Sequence, residues 1–413
     1  MKNNFWEPID TIRLTDSRFD ETLNTPDGYY YLSDGTTDIK LYLEPGMDLA
    51  LAFDADDVIS SVLWKGKGEA ENNYLASKSR LTDQIPIKAR VYSEYGQLDE
   101  QKFLLQTDSL EKSYLSHFEA NQPFNKRFTF LEEHAIKIEK SIRLSQFESI
   151  KRMVTKNPDY KVSHNYPDPY SNVDLNNPLL MKTYGYKDIM QNYVSSLVGN
   201  SEDFSETADF FLLFQKELNK SNLAPEIRDK LGLENSTYGF TYTKDPEEYY
   251  QEYMSFATIE AYRKEFQQRY HRSKTEKGSP SPDFRFQGSD EKWYSLKDFK
   301  RKYVYIDLWA SWCAPCITQM PHLKKLKDKY AEKIHFVSIA WNDRKESWKK
   351  MIDKENLSGY QLYAPEKEAD FFTFYNVSGI PRFILLDKEG KIIESIAKQP
   401  SEKSLDKQLD QLE

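Results

Sequence analysis

The chain has 413 residues, of which 39% are hydrophobic, 30% charged and 14% aromatic, and it carries a formal net charge of −9 at pH 7. This length predicts two or three domains, and so many aromatic side chains predict packed cores rather than a disordered chain. General nucleic-acid binding requires a basic face, so we expect no nucleic-acid partner. No apolar run reaches the roughly 18 residues of a membrane span, and we expect no span in this chain.

Residues 1–70 are rich in side chains that favour β-strands. Short runs of such residues occupy 28–32 and 39–43, apolar side chains alternate along 48–53, and a fourth candidate strand spans 58–64. No cluster of His, Cys or carboxylate side chains accompanies them. We therefore predict a small β-rich domain that forms an antiparallel sheet or a half-sandwich and carries no catalytic group.

Apolar side chains recur at helical spacing over residues 71–275, where Leu110, Tyr114 and Phe118 stand four residues apart. Further helices are predicted over 186–198, 204–219 and 245–272. Apolar stripes at this spacing usually form a core, so we predict an all-helical region. Its scattered histidines fit no metal-ligand pattern.

The Gly, Ser and Pro residues at 276–282 indicate a linker, and a domain of different character follows over 283–413. Strand and helix patterns alternate in this last domain. The predicted elements are a hairpin over 283–294, a helical turn at 296–299, strands over 303–310 and 334–341, helices over 321–330 and 348–354, and a closing hairpin over 382–396. This order predicts an α/β fold, with a mixed sheet and helices on both of its faces.

The only two cysteines, Cys313 and Cys316, stand at C-x-x-C spacing directly after the predicted strand 303–310. Two thiols at this spacing, where a strand turns into a helix, indicate a redox pair. The N–H groups at a helix N-terminus stabilise a thiolate, and Pro315 suits the first turn because its missing N–H would have no partner there. We therefore expect Cys313 to be the exposed nucleophile and Cys316, more buried, to resolve the mixed disulfide.

Two further positions could serve this chemistry. Asp307 is the only charge in the predicted strand, and a carboxyl buried there could accept and donate the proton of Cys316 through a water. The alternative is a solvated position at the strand end. A cis bond at Ile380-Pro381 would leave the Ile380 backbone free to pair with an extended substrate, whereas an ordinary edge turn is the alternative.

The run from Asp307 to Cys316, the Pro321 that follows, and the step Gly379-Ile380-Pro381 together resemble a thioredoxin-fold domain over about residues 278–413. The Trp-Cys-x-Pro-Cys form and the closing hairpin are similar to the TlpA/ResA-like envelope oxidoreductases. Residues 42–46 and 66–75 resemble the β-domain that precedes a helical segment and a thioredoxin module in envelope proteins of Bacteroidetes-type bacteria.

This resemblance implies that Cys313 and Cys316 are the catalytic redox pair, with no other cofactor, and that Asp307 is the buried active-site aspartate. It implies further that Pro381 is the cis-proline. The residues that would bind substrate are Trp312, Ala314, Pro315, Ile380 and Pro381. One position departs from the family, because many members carry Glu where Gln319 stands, which leaves more of the proton transfer to Asp307.

The resemblance also implies where the protein works and with which partners. We expect oxidised protein substrates, a membrane thiol-disulfide carrier as electron donor, and a periplasmic or cell-envelope location after removal of a leader. A cytoplasmic location stays open. A C-x-x-C pair can reduce, oxidise or isomerise disulfides according to its potential, and the family likeness favours a protein-disulfide reductase.

Three other functions fit parts of the pattern. Zinc binding would need two more ligands, and only His322 and His335 lie in the last domain, so we expect no metal site. A thioredoxin-fold peroxidase would use a lone cysteine in a Thr-x-x-Cys context, which this motif lacks. A partner-binding envelope protein with a regulatory redox pair would keep its function without the cysteines. We expect a thiol-disulfide oxidoreductase.

Overall fold

The computed structural model describes residues 1–3, 20–33, 37–54, 56–81, 95–205, 208–273, 277–365, 369–375, 377 and 379–412. The chain divides into two compact units. Met1–Ala208 and Lys216–Leu231 form the first unit, and Asp209–Gln215 and Gly232–Glu413 form the second. The division into four parts that the sequence suggests stays a prediction, and residue 276 of the predicted linker lies outside the described residues.

Antiparallel strands open the first unit, as the sequence predicts. They are β1 (Lys2–Asn3), β2 (Gly28–Ser33), β3 (Asp38–Leu43), β4 (Asp48–Ala52) and β5 (Leu63–Lys67). Strands β1, β2 and β3 form one sheet, and β4 pairs with β5. The strand predicted over 58–64 is wrong in its first half, which is the helical turn α1 (Val58–Ser61). Asp57 starts this turn because its carboxylate accepts a hydrogen bond from the Ser60 amide.

Helices follow the strands. They are α2 (Glu69–Leu81), α3 (Glu100–Ala120), α4 (Lys126–Thr155), α5 (Tyr186–Gly199), α6 (Phe210–Lys220) and α7 (Pro225–Tyr242), and the last two contribute residues to both units. The helix predicted over 204–219 therefore begins later than expected. Helix α7 has no counterpart among the predicted helices, because its polar and apolar side chains do not separate onto two faces.

The strands and helices of the first unit share an aromatic core. Its buried members are Tyr29, Tyr42, Tyr74, Leu75, Tyr114, Phe118, Phe128, Leu131 and Ile136. They come from β2, β3, α2, α3 and α4, so the sheet and the helices bury one another's apolar side chains. Aromatic pairs within this core, such as Tyr42 with Phe128, meet edge to face with ring centroids 5.1 Å apart.

Buried charges lie beside this core. The ammonium of Lys78 on α2 contacts the carboxylates of Glu132 and Glu139 on α4, at 2.7 and 2.9 Å. Glu132 also accepts hydrogen bonds from the hydroxyls of Tyr29 and Tyr74. Two nearby carboxylates raise the pKa of Lys78 despite its burial, so the ammonium stays charged. Because Lys78 and Glu132 are both removed from water, each charge depends on its partners for compensation.

Replacing Glu132 with Gln should therefore destabilise the first unit by about 3 kcal/mol, since the change leaves a buried ammonium short of one counter-charge. Urea unfolding followed by the fluorescence of Trp64, which is buried in the same unit, measures this change. Glu111→Gln is the matched control, because it removes a half-buried surface partner of Lys140 and should cost less than about 1 kcal/mol. Equal effects of the two substitutions would contradict the prediction.

The second unit contains two short helices before its sheet. These are α8 (Pro246–Phe256) and α9 (Glu260–Ser273), so the single helix predicted over 245–272 is wrong. The carboxylate of Asp245 caps α8 by accepting hydrogen bonds from two backbone amides of its first turn. Extended backbone at Ala257 ends α8, and the chain turns before α9 begins.

The sheet of the second unit has the strand order β12-β11-β8-β9-β10-β6-β7. Its strands are β6 (Arg285–Gly288), β7 (Trp293–Ser295), β8 (Tyr303–Trp309), β9 (Ile334–Ala340), β10 (Tyr360–Tyr363), β11 (Arg382–Leu386) and β12 (Ile392–Glu394). Strands β8, β9 and β10 are parallel to one another, and the remaining pairs are antiparallel. Backbone hydrogen bonds also join Gly278 and Ser279, within the predicted linker, to Ile392 of β12.

Helices cover both faces of this sheet. They are α10 (Ala314–Tyr330), α11 (Lys345–Glu355), α12 (Asp370–Phe374) and α13 (Lys403–Asp410). Val304 and Ile306 of β8 pack in a cluster with residues of α12, whereas Tyr305 packs in a different cluster with residues of α10 and α13. Side chains of successive strand residues point to opposite faces, which explains this alternation. The predicted α/β fold with a mixed sheet is confirmed.

Candidate active site

The two cysteines lie at the junction between strand β8 and helix α10. Cys313 is the N-cap of α10 and Cys316 lies in its first turn; they form a disulfide with their Cα atoms 5.3 Å apart. The Cys316 amide donates a hydrogen bond to the Cys313 sulfur at 3.2 Å. Pro315 occupies the first turn, as expected. The Cys313 sulfur thus accepts one backbone N–H and lies at the positive end of the helix dipole, and both favour a thiolate.

Both cysteines are buried, so the expectation of an exposed Cys313 is wrong for this disulfide form. Each residue is only 3% exposed. They share an apolar cluster with Trp309 and Trp348, and Ile380 packs against it. These neighbours come from β8, α11 and the loop before β11, which explains why local sequence could not predict the burial.

The exposed part of the motif surrounds the pair. Trp312 is 58% exposed, and Ala314 and Pro315 also face solvent. The indole N–H of Trp312 donates a hydrogen bond to the carbonyl of Asn342 at 2.8 Å, which ties the ring to the loop after β9. An exposed aromatic ring and an exposed proline therefore flank the buried sulfurs.

The loop after β9 holds the turn that precedes the cysteines. The Asp343 carboxylate accepts hydrogen bonds from the backbone N–H and the hydroxyl of Ser311, at 2.6 and 2.8 Å. The hydroxyl of Tyr363 in turn donates to the carbonyl of Asp343 at 2.9 Å. Sequence reasoning missed Asp343, because an acidic residue in a polar loop gives no sign of what it contacts.

Asp307 is buried within β8, at 7% exposure, so the solvated position at the strand end is ruled out. Burial raises the pKa of its carboxyl to about 7, and the charge of Lys327 and a hydrogen bond from Ser338 oppose this rise. Ser338 occupies the facing position on β9. Burial lowers the pKa of Lys327, whereas the charge of Asp307 raises it. Lys327 was not predicted as a site residue, because α10 carries several lysines and nothing distinguishes this one.

The peptide bond between Ile380 and Pro381 is cis, as the resemblance implies. Ile380 packs against the cluster that contains both cysteines, and Pro381 is buried. Among the described residues, no backbone hydrogen bond involves Ile380. The structure thus brings Ile380 to the cysteine pair, and the part of the chain that it describes makes no backbone hydrogen bond to this residue. Gln319 accepts a hydrogen bond from the Ser401 amide at 3.0 Å.

Helix α7 supports this loop from the same unit. The hydroxyl of Tyr242 donates a hydrogen bond to the Pro381 carbonyl at 3.1 Å. The buried guanidinium of Arg382 donates to the Thr241 hydroxyl at 3.1 Å and to the carbonyls of Ser395 and Tyr375 at 3.0 and 3.4 Å. Burial among these neutral acceptors lowers the pKa of Arg382 to about 10.

Two further features concern metal ions and membranes, and both are stated for the described part of the chain. Within it, no group of three or more His, Cys, Asp and Glu side chains is placed to hold a metal ion. The helices described there include none that is both long and apolar enough to cross a membrane.

Known proteins resemble the last third of the chain. The family model named Redoxin matches residues 276–409. The thiol-disulfide oxidoreductase ResA of Bacillus thuringiensis subsp. konkukian is 33% identical over 139 residues, which are 33% of this chain and 78% of the relative. The thioredoxin-like protein YneN of Bacillus subtilis is 30% identical over 140 residues, 33% of this chain and 79% of the relative.

A solved structure is similar over the same share of the chain. The crystal structure of the thioredoxin domain of a thiol-disulfide oxidoreductase from Bacteroides vulgatus is 28% identical, with a TM-score of 0.30, and the match covers 33% of this chain and 96% of that one.

The match to ResA covers most of that relative, and the sheet carries a C-x-x-C disulfide at a helix N-terminus beside a cis-proline. This chain therefore belongs to the ResA family of thiol-disulfide oxidoreductases and is an enzyme of that class.

Proposed function

We propose that the enzyme is a protein-disulfide reductase of the cell envelope, in which Cys313 and Cys316 exchange disulfides with oxidised protein substrates. The observation that carries this proposal is the placement of Ile380. Among the described residues no backbone hydrogen bond involves it, and its side chain packs against the cluster that holds both cysteines. An extended substrate segment that pairs with the Ile380 backbone would bring its own disulfide to Cys313.

The reaction starts from the reduced enzyme. The thiolate of Cys313 attacks one sulfur of the substrate disulfide, the substrate S–S bond breaks, and the released substrate thiolate takes up a proton. Cys316 then loses its proton and attacks the Cys313 sulfur, which releases the second substrate thiolate and leaves the Cys313–Cys316 disulfide. The second substrate thiolate also takes up a proton. Two electrons pass from the enzyme to the substrate; one of the two protons corresponds to that released by Cys316, and the other comes from water, because Cys313 starts as a thiolate. A membrane thiol-disulfide carrier would return the enzyme to its dithiol form.

Asp307 is the proposed proton acceptor for Cys316, through a water. Burial raises the pKa of its carboxyl to about 7, so the group can take up and release a proton near neutral pH. Gln319 carries no carboxylate and cannot share this role. The exposed residues Trp312, Ala314 and Pro315 are the proposed contacts for the substrate around its disulfide.

The direction of reaction and the location rest on family likeness. The residues between the cysteines, Ala314-Pro315, differ at one position from the Gly-Pro of reducing thioredoxins. Several of the most similar proteins carry the name ResA, and the family resemblance also supports the cell envelope.

Fractionation of cells that express the protein from its own gene tests the location, because recovery with cytosolic markers alone would contradict it.

Cys316→Ser should accumulate a mixed disulfide with an oxidised protein substrate, because the attack that resolves it is lost. Cys313→Ser, the matched control, should form almost none, since the attacking thiolate is absent. Non-reducing gels and mass spectrometry before and after dithiothreitol measure the adduct. Equal adduct on both variants would contradict the assignment of Cys313 as nucleophile.

The redox potential of the pair decides the direction. We expect a midpoint closer to the roughly −270 mV of thioredoxin than to the roughly −120 mV of DsbA. Titration against glutathione buffers, read by the fluorescence of the adjacent Trp309 and Trp312, measures it. A midpoint near that of DsbA would overturn the reductase assignment and favour an oxidase.

Asp307→Asn tests the buried carboxyl through the stability of the fold. Because burial raises the pKa of Asp307 from 3.8 to about 7, the folded chain holds a proton between about pH 4 and 7 that the unfolded chain releases. The free energy of unfolding therefore falls as pH rises through this window, by up to about 4 kcal/mol. The Asn variant should lack this loss and exceed the wild type in stability above pH 7.

The same substitution should change the pH profile of catalysis. The wild-type kcat should rise with an apparent pKa near 7, and Asp307→Asn should lose this inflection and fall about 100-fold at pH 8, within the range expected for a lost general base. Asp328→Asn, an exposed aspartate on α10, serves as control and should alter neither stability nor kcat. A wild-type profile retained by the Asp307 variant would exclude the proposed proton transfer.

A further inference from the structure

An exposed tyrosine of α7 lies against the start of the cis-proline loop. The Tyr238 side chain is 47% exposed. A methyl group added at Gly379 would come within 2.7 Å of the Cε1 atom of this ring. Gly379 directly precedes Ile380, so the ring contacts the backbone next to the segment that would pair with substrate.

Neighbouring residues of α7 hold the ring in this place. Tyr242, one helical turn after Tyr238 and on the same face, donates its hydroxyl to the Pro381 carbonyl at 3.1 Å. Burial raises the pKa of Tyr242 to about 12, which keeps the hydroxyl a donor at neutral pH. Thr241 accepts a hydrogen bond from the buried Arg382. The last turn of α7 therefore contacts residues on both sides of Ile380, which fixes the position of Tyr238 relative to its backbone.

The solvent-facing half of the Tyr238 ring suits a substrate side chain. An extended segment advances about 3.3 Å per residue, so residues within one or two positions of a substrate cysteine held beside Ile380 lie within reach of Gly379 and the ring. Aromatic faces bind apolar and aromatic side chains well, with little loss of conformational freedom because the ring has few rotatable bonds. The packing against Gly379 restricts the ring further.

We propose that Tyr238 is a specificity-determining residue, which binds an apolar or aromatic side chain of the substrate segment that flanks the disulfide. The proposal rests on the proposed reduction of polypeptide disulfides and adds the class of polypeptide that is preferred. The chemistry of exchange is unchanged. The ring strengthens the binding of peptides that carry an apolar side chain next to their disulfide. It does not affect the binding of small disulfides, because these do not extend beyond Cys313 and Cys316.

Steady-state reduction by the full chain tests this inference. The substrates are two peptides with the same internal disulfide, flanked by Phe in one and Ser in the other, together with hydroxyethyl disulfide. Tyr238→Ala should lower kcat/KM about tenfold for the Phe-flanked peptide, chiefly through KM, as expected for a lost apolar contact. It should change the other two substrates less than twofold. Tyr238→Phe, which keeps the ring, should restore the preference for the Phe-flanked peptide.

Trp293→Ala is the matched control. It removes an exposed aromatic ring on β7, at the edge of the same sheet and four strands from β8, so the ratio of kcat/KM between the two peptides should change less than twofold. An equal loss on all three substrates in Tyr238→Ala, or no loss on any, would overturn the inference. Wild-type enzyme that reduced hydroxyethyl disulfide but neither peptide would contradict the proposed function, and the role of Tyr238 would fall with it, so the two failures are distinguishable.

Discussion

The central position of β8 is the constraint on which the redox site depends. This strand pairs along its whole length with β9 on one side, and from Val304 to Leu308 with β11 on the other. Its end therefore fixes where α10 begins, and with it the position of Cys313. The loops after β9 and before β11 arrive beside the same point, carrying Asp343 and Ile380. Strand pairing thus assembles the site from segments that are remote in sequence.

Each of the two units buries an ionisable side chain, but the neighbours that offset the loss of water differ between them. In the first, Lys78 contacts two carboxylates, one of which also accepts hydrogen bonds from two tyrosine hydroxyls, so the ammonium stays charged despite its burial. In the second, burial of Asp307 outweighs the charge of Lys327 and a hydrogen bond from Ser338, so the pKa of its carboxyl rises to about 7. The ion pairs of Lys78 stabilise the core of the first unit. The burial of Asp307 lowers the stability of the fold at neutral pH, and it also gives the site a carboxyl that titrates near that pH.

Local pattern was enough to predict some parts of the fold. The apolar run of β8, the C-x-x-C step at the start of α10 and the closing hairpin each follow from a few adjacent residues. Features that depend on distant contacts were not predictable in this way. The burial of Cys313 comes from Trp348 and Ile380, and the role of α7 was missed because its mixed surface shows no amphipathic period. Asp307 was recognised because a lone charge in an apolar strand is itself a local signal.

The contacts of α7 decide which truncated fragments of this enzyme keep the hydrogen bonds around the cis-proline. A fragment that began at residue 283, where the thioredoxin-like pattern starts, would leave the Pro381 carbonyl without the Tyr242 hydroxyl and Arg382 without Thr241. It would also lose the backbone hydrogen bonds that Gly278 and Ser279 make with Ile392 of β12. A fragment that keeps these contacts must therefore begin well upstream of residue 283, because the compact unit around the sheet includes Asp209–Gln215 and Gly232–Glu413.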